Sequence, residues 1–160
     1  MVDFIKAQGN AFLAHRLRRS SDRIVNQVGE VLTELGVSVP PRGASMLLLL
    51  DEYRSIGVME ISRRLSLSHP LIVRMAKRFE TLGLVTIETD PDDARRRLLV
   101  RTDKARREAA ILREFNARLN AMFDILCAEI QCPLISVLDR LEVALDSAPI
   151  ADRLSRKPPA

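Results

Sequence analysis

The sequence predicts a mainly α-helical chain with one small β-hairpin, and three observations lead there. Apolar residues recur at helical spacing through most of the 160 residues, of which 47% are hydrophobic and 29% charged. Only residues 84–102 alternate as strands do, around the turn chemistry of Asp90-Pro91-Asp92-Asp93. Two short amphipathic segments stand directly before that hairpin, joined at Ser66-Leu67. Helix, tight turn, helix and hairpin together make a winged helix-turn-helix, and the flanking residues supply long dimerisation helices.

Taken in order, Phe4 to Leu35 reads as one long helix, broken or frayed near Gly9. Leu17, Ile24, Val28, Val31 and Leu35 form its stripe, with Phe12 and Leu13 above them. At 1.5 Å rise per residue, about 30 residues span about 45 Å, longer than a small domain is wide. Its apolar beginning (Phe4, Ile5, Phe12) is therefore expected to meet a second subunit. Gly36 to Pro41 is a connector, since paired prolines cannot continue a helix. Arg42 to Tyr53 is a helix apolar almost all round at Met46–Leu50, hence central, and Arg54-Ser55-Ile56 leads onward.

Gly57 can cap the next helix, with Glu60 at the third helical position facing free N–H groups. Ile61 and Leu65 share its inner face, and Leu67 is expected to point into the small core. Ser68 is a natural N-cap for the second helix, and Pro70 sits in the first turn, where a missing N–H costs nothing. Ile72, Met75, Ala76 and Phe79 form a buried stripe; His69, Leu71, Arg74, Lys77 and Arg78 lie opposite. Gly83 stops the helix. Leu84–Thr89 and Leu98–Thr102 are the strands, with Arg95-Arg96-Arg97 at the tip. Thr102 caps a third long helix to about Cys132, with Ala109, Leu112, Phe115, Leu119, Met122, Phe123, Leu126 and Ile130 as its stripe. Pro133 starts a shorter helix through Leu134, Val137, Leu138, Leu141, Val143 and Leu145, and residues from Ser147 on read as a tail. The expected organisation is an N-terminal dimerisation helix (1–36), a winged helix-turn-helix (40–102), C-terminal dimerisation helices (103–147) and a tail (148–160).

At these residues the chain resembles the MarR family of bacterial transcription regulators. The resemblance rests on Phe79-Glu80 followed by Leu82-Gly83-Leu84-Val85, and on Asp90-Pro91-Asp92-Asp93-Ala94-Arg95 for D-P-x-D-x-R. Ala94 stands where many relatives have arginine, and Thr102-Asp103-Lys104-Ala105 lacks the glycine of their T-x-x-G. The resemblance implies a cytoplasmic, homodimeric DNA-binding regulator, more often a repressor, that addresses a pseudo-palindromic duplex. It also implies a wing in which Asp93 orients Arg95 toward a minor groove. A small-molecule effector between readers and dimer helices would alter half-site spacing. In the second helix, Arg74, Lys77 and Arg78 would meet phosphates or guanine edges, with His69 and Leu71 near base edges. Arg78 has an internal ion pair as its alternative, Ser68 serves as cap or phosphate ligand, and Arg95–Arg97 could form a solvated loop.

Charge distribution agrees with that reading. Residues 54–107 hold 13 Lys/Arg against 7 Asp/Glu, whereas residues 1–53 hold 6 against 6 and residues 108–160 hold 6 against 8. All the positive excess lies in the reader, the footprint of a protein that neutralises phosphates. Two cysteines, Cys127 and Cys132, fit a reducing compartment, and no apolar run suits a signal segment or a bilayer span. No phosphate loop, nucleophile motif or metal-spaced cluster appears, so neither an enzyme nor a cofactor is expected. Two alternatives remain at this point: a winged-helix module that binds protein, and a regulator gated by oxidation of Cys127 or Cys132.

Overall fold

A computed structural model describes residues 3–93 and 95–155. The chain divides into two compact units, Met1–Phe115 and Asn116–Ala160. Gly9, at φ +63°, interrupts the N-terminal helix where the sequence has its only early glycine. Before it lies α1 (Phe4–Ala7); a 3-10 turn (Gly9–Phe12) and then α2 (Leu13–Glu34) follow. Asp3 caps α1 by accepting from the Ile5 and Lys6 N–H groups, and it pairs with Arg19 of α2. The expected stripe of α2 is corrected: the residue it buries is Leu32, beside half-buried Val28 and Leu35. Leu17, Ile24 and Val31 remain exposed, because the connector packs on the other side, at Gly29, where a Cβ would lie 3.3 Å from the Pro41 ring. Gly36 ends α2 with φ +72°, and the Val37 N–H reaches back to the Leu32 carbonyl.

A 3-10 turn at Pro41–Gly43 leads into α3 (Ala44–Glu52), whose Met46, Leu47 and Leu50 are fully buried. Gly43 is required there, since a Cβ would meet the Phe79 ring at 2.9 Å. The lead-in at residues 54–56 proves to be structured: Ser55–Gly57 is β1, the third strand of the sheet. Next come α4 (Val58–Leu65), α5 (His69–Thr81), β2 (Val85–Thr89) and β3 (Arg97–Arg101). Strand order is β1-β3-β2, all antiparallel, with Ile56 opposite Leu99 and Ile87 opposite Leu99 on its other side. A short edge strand that follows a buried helix carries too little alternation to be read from sequence.

Thr102 then caps α6 (Asp103–Glu129), as expected: its Oγ1 accepts from the Ala105 N–H while its hydroxyl reaches the Gly83 and Leu84 carbonyls. Ala105, Glu108, Ala109, Leu112 and Phe115 are buried in the first unit. Glu108 is an unusual core residue, and its partners explain it. Its carboxylate accepts from the Ser38 N–H at 2.9 Å, the Ser38 hydroxyl at 2.6 Å and the Val39 N–H at 3.2 Å. Asp51 likewise joins three elements, pairing from α3 with Arg101 of β3 and Arg113 of α6.

In the second unit, α6 ends at Glu129, Gln131 adopts φ +52°, and α7 (Leu134–Ser147) follows Pro133. Val143 and Leu145, placed on its stripe by spacing, are exposed, whereas Leu134, Val137, Leu138 and Leu141 are half-buried. The expected tail contains a further short helix, α8 (Ile150–Ser155), held where Arg153 donates to the Ala148 carbonyl at 3.0 Å. The remaining tail residues, 156–160, lie outside the described residues. Among the described residues no single helix is long and apolar enough to cross a membrane.

Candidate nucleic-acid interface

The two helices of the reader are joined by a turn at Ser66, a non-glycine residue at φ 52°. Its strain is offset by two closing bonds, Ser66 N–H to the Arg63 carbonyl and Leu67 N–H to the Ser62 carbonyl. Leu67 is half-buried there. Glu60 lies in the first turn of α4 as expected and accepts from Arg64 and Arg63. The Arg64 hydrogen bond, ahead of the two guanidinium charges, lowers the Glu60 carboxyl below its ordinary range. Arg64 also stacks 4.7 Å over the Tyr53 ring, so the cations of α4 are engaged within the chain.

Helix α5 is different. Ile72, Ala76 and Phe79 are fully buried or nearly so, which fixes the rotation of the helix. Pro70, Arg74 and Lys77 fall at i, i+4, i+7 on the opposite ridge and are exposed. Arg74, Lys77 and Arg78 form no ion pair among the described residues, so the internal pairing considered for Arg78 is not seen. Ser68 has the extended backbone of an N-cap, but its hydroxyl makes no bond to the helix and is exposed. The Phe79 and Glu80 carbonyls accept from Leu84 and Gly83, and Gly83 has φ +69°, which terminates α5 as the sequence requires.

The wing is organised by its aspartates. Asp90, buried, accepts from the Asp92 N–H at 3.0 Å and lies 3.3 Å from Arg96 Nη1. Asp93 accepts from the Arg95 N–H at 3.0 Å, and its carboxylate is 3.6 Å from Arg95 Nε. The Arg95 side chain is 94% exposed. Asp93 thus fixes the backbone of Arg95 more firmly than its guanidinium, which projects outward. Arg97 lies in β3 and not at the tip, where it donates across the strand pair to Thr89 Oγ1. Ala94, the departure noted within the motif, lies outside the described residues.

His69 and Val73 of α5, Gly57 to Met59 at the start of α4, and Arg95, Arg96 and Arg97 of the wing line one cleft of about 280 Å³. Three arginines and a histidine therefore share one cleft with the apolar Val58, Met59 and Val73. Leu71 and Arg78 are not part of it. They line a second cavity of about 360 Å³, on the connector side, with Pro40, Met75 and Phe79. Val58, Met59 and Val73 are the residues that sequence reasoning passed over. Val73 carries the available signal, standing at i+4 from His69 on the same side of the helix. His15 is exposed beside the Phe12 ring, at 5.3 Å, and Cys127 and Cys132 are half-buried.

Residues 35–96 match the family model described as the MarR family. The transcriptional repressor CouR, solved bound to a 23-mer DNA duplex, is similar at 24% identity; 89% of this chain and 98% of that one align, with TM-score 0.68. The PcaV transcriptional regulator from Streptomyces coelicolor, solved with its natural ligand, is similar at 25% identity over 90% of this chain and 97% of that one, with TM-score 0.62. MepR from S. aureus, in a DNA complex, has TM-score 0.68 at 14% identity, covering 84% of this chain and 97% of that one. Among curated protein sequences none matches the chain.

Proposed function

We propose that the chain is a winged helix-turn-helix transcription regulator of the MarR type, whose family model its residues 35–96 match, and that it works as a homodimer reading a pseudo-palindromic DNA duplex. The observation that carries this reading is the cleft between α5 and the wing. The unpaired cations of the helix and the outward guanidinium of Arg95 sit on elements that share its walls. Helix α5 enters a major groove, with Arg74 and Lys77 on phosphates or guanine edges. The wing places Arg95 in the adjacent minor groove, while Arg96 and Arg97, tethered to Asp90 and Thr89, hold its shape and face the phosphates. Ser68, with its hydroxyl uncommitted, takes a phosphate at the start of α5.

Dimerisation is supported by what the chain leaves uncovered. Leu17, Ile24 and Val31 recur at seven-residue intervals along α2 and are exposed, a seam that suits a partner helix. Met122, Ile125, Leu126 and Ile130 of α6 are exposed as well. A two-fold pair of chains would space its readers by about one turn of DNA. A small-molecule effector acts by favouring one spacing over the other, and repression of a neighbouring gene is the simplest consequence in the cytoplasm, where the DNA is.

A duplex titration across salt concentrations tests this. Log affinity should fall linearly with log salt, with a slope of about −0.9 per phosphate contacted. Arg95→Ala and Arg74→Ala should each weaken binding and flatten the slope by about one. Duplex binding that is absent, or indifferent to salt, would contradict the reading and favour a module that binds protein.

A further inference from the structure

We propose that the N-terminal part of α5 recognises the C5 methyl group of a pyrimidine in the major groove, through Pro70 and Val73. The inference rests on the DNA-reading function above and specifies what that site reads. When a recognition helix enters a major groove, its N-terminal residues meet the base edges. Here the buried trio Ile72, Ala76 and Phe79 leaves Pro70 pointing away from the core, with Val73 toward the wing. Pro70 is exposed; Val73 is half-buried and lines the cleft with Val58 and Met59.

Neither side chain can donate or accept a hydrogen bond. Pro70 also lacks a backbone N–H, so that residue offers a base no donor at all. The major groove displays one apolar feature, the methyl on C5 of thymine, and 5-methylcytosine presents the same group at the same position. Val73 is not the one apolar side chain there: Met59, 69% exposed, and Val58 line the same cleft. A purine edge, which offers only polar groups there, would lose its hydration without a partner, so the surface favours a pyrimidine whose C5 methyl it can bury. Arg74, beside Pro70 on the same ridge, supplies the polar contact that follows, and a guanine edge suits it.

The test needs no variant to begin. In a tight-binding duplex, each thymine is replaced singly by deoxyuridine, which removes the methyl and leaves every hydrogen-bonding group in place. One position per half-site should lose about threefold to fivefold in affinity, the ratio carried by burying one methyl group. Val73→Ala and Pro70→Ala should bring that thymine-to-uridine ratio toward one while leaving the salt slope unchanged. If uridine is silent but 5-methylation of a cytosine tightens binding by a similar factor, the methyl is read from methylcytosine, and the proposal stands. Salt-dependent duplex binding with neither effect overturns the proposal and leaves the DNA-reading function intact. Loss of all duplex binding in the wild-type chain removes both.

Discussion

The reader and the C-terminal helices solve the burial of apolar surface in opposite ways. Between residues 54 and 102, Ile56, Ile61, Ile72, Ala76, Phe79, Leu84, Val85 and Leu99 are all buried within one chain. In residues 116–155, Ala148 alone is buried among the described residues, while Ile125, Ile135, Val143, Ile150 and Leu154 are exposed. The reader is thus complete in a single copy. The helices carry apolar side chains that a single copy leaves in water, surface that a second copy would cover in the proposed homodimer. Completeness and exposure are divided along the sequence, with the first in the proposed reader and the second in the helices that the proposed homodimer would join.

Substitutions can sharpen or break that contrast. Phe79→Ala should cost the most, about 3–5 kcal/mol, because it empties the centre of the reader and removes the ring that fills the space beside Gly43. Urea denaturation would measure it. Ile135→Ala or Leu154→Ala should change the unfolding free energy of a dilute chain by less than about 0.5 kcal/mol, yet weaken self-association in sedimentation. Equal costs at the two places would break the comparison. Gly43→Ala should cost about 1–3 kcal/mol by overpacking against Phe79 and Val39.

Asp51→Asn comes next, at about 1–2 kcal/mol. It leaves Arg101 half-buried beside an amide, and the partly exposed Arg113 limits the penalty. The smallest effect is at the N-terminus, where the pair is solvent-exposed. The Arg19 hydrogen bond holds the Asp3 carboxyl at about 2, below its ordinary 3.8. A lowered carboxyl stabilises above its unfolded value, so the pair's small contribution to docking α1 should be fully present above pH 3.8 and lost as pH falls through about 2. Monitoring Phe4 by NMR through an acid titration checks this; a midpoint near 3.8 would show that Asp3 and Arg19 do not pair.

Much of this was legible in the chain itself. Of the stripe Ile72, Met75, Ala76 and Phe79, all but the half-buried Met75 are buried, and with the Gly83 stop and the Thr102 cap they follow from spacing and from residues whose chemistry admits few positions. What escaped depends on long-range pairing. Strand β1 exists because β3 offers it an edge, and no local pattern in Ser55-Ile56-Gly57 announces that. Glu108 looks like a solvent-facing acid until Ser38 and Val39, some seventy residues away, supply its partners. In the reader, spacing placed His69, Leu71, Arg74, Lys77 and Arg78 on one outer side. The structure separates them, with Leu71 and Arg78 at the connector cavity and His69 at the wing cleft beside Val73. Helical periodicity gives the outward half of a helix; only its neighbours say which flank faces which groove.

Selection of bound duplexes from a random pool tests the central claim most directly. Two copies joined by the uncovered helices, each presenting α5 and its wing, should enrich a two-fold symmetric consensus with half-sites about one helical turn apart. An asymmetric consensus, or a pool that shows no enrichment, would contradict it.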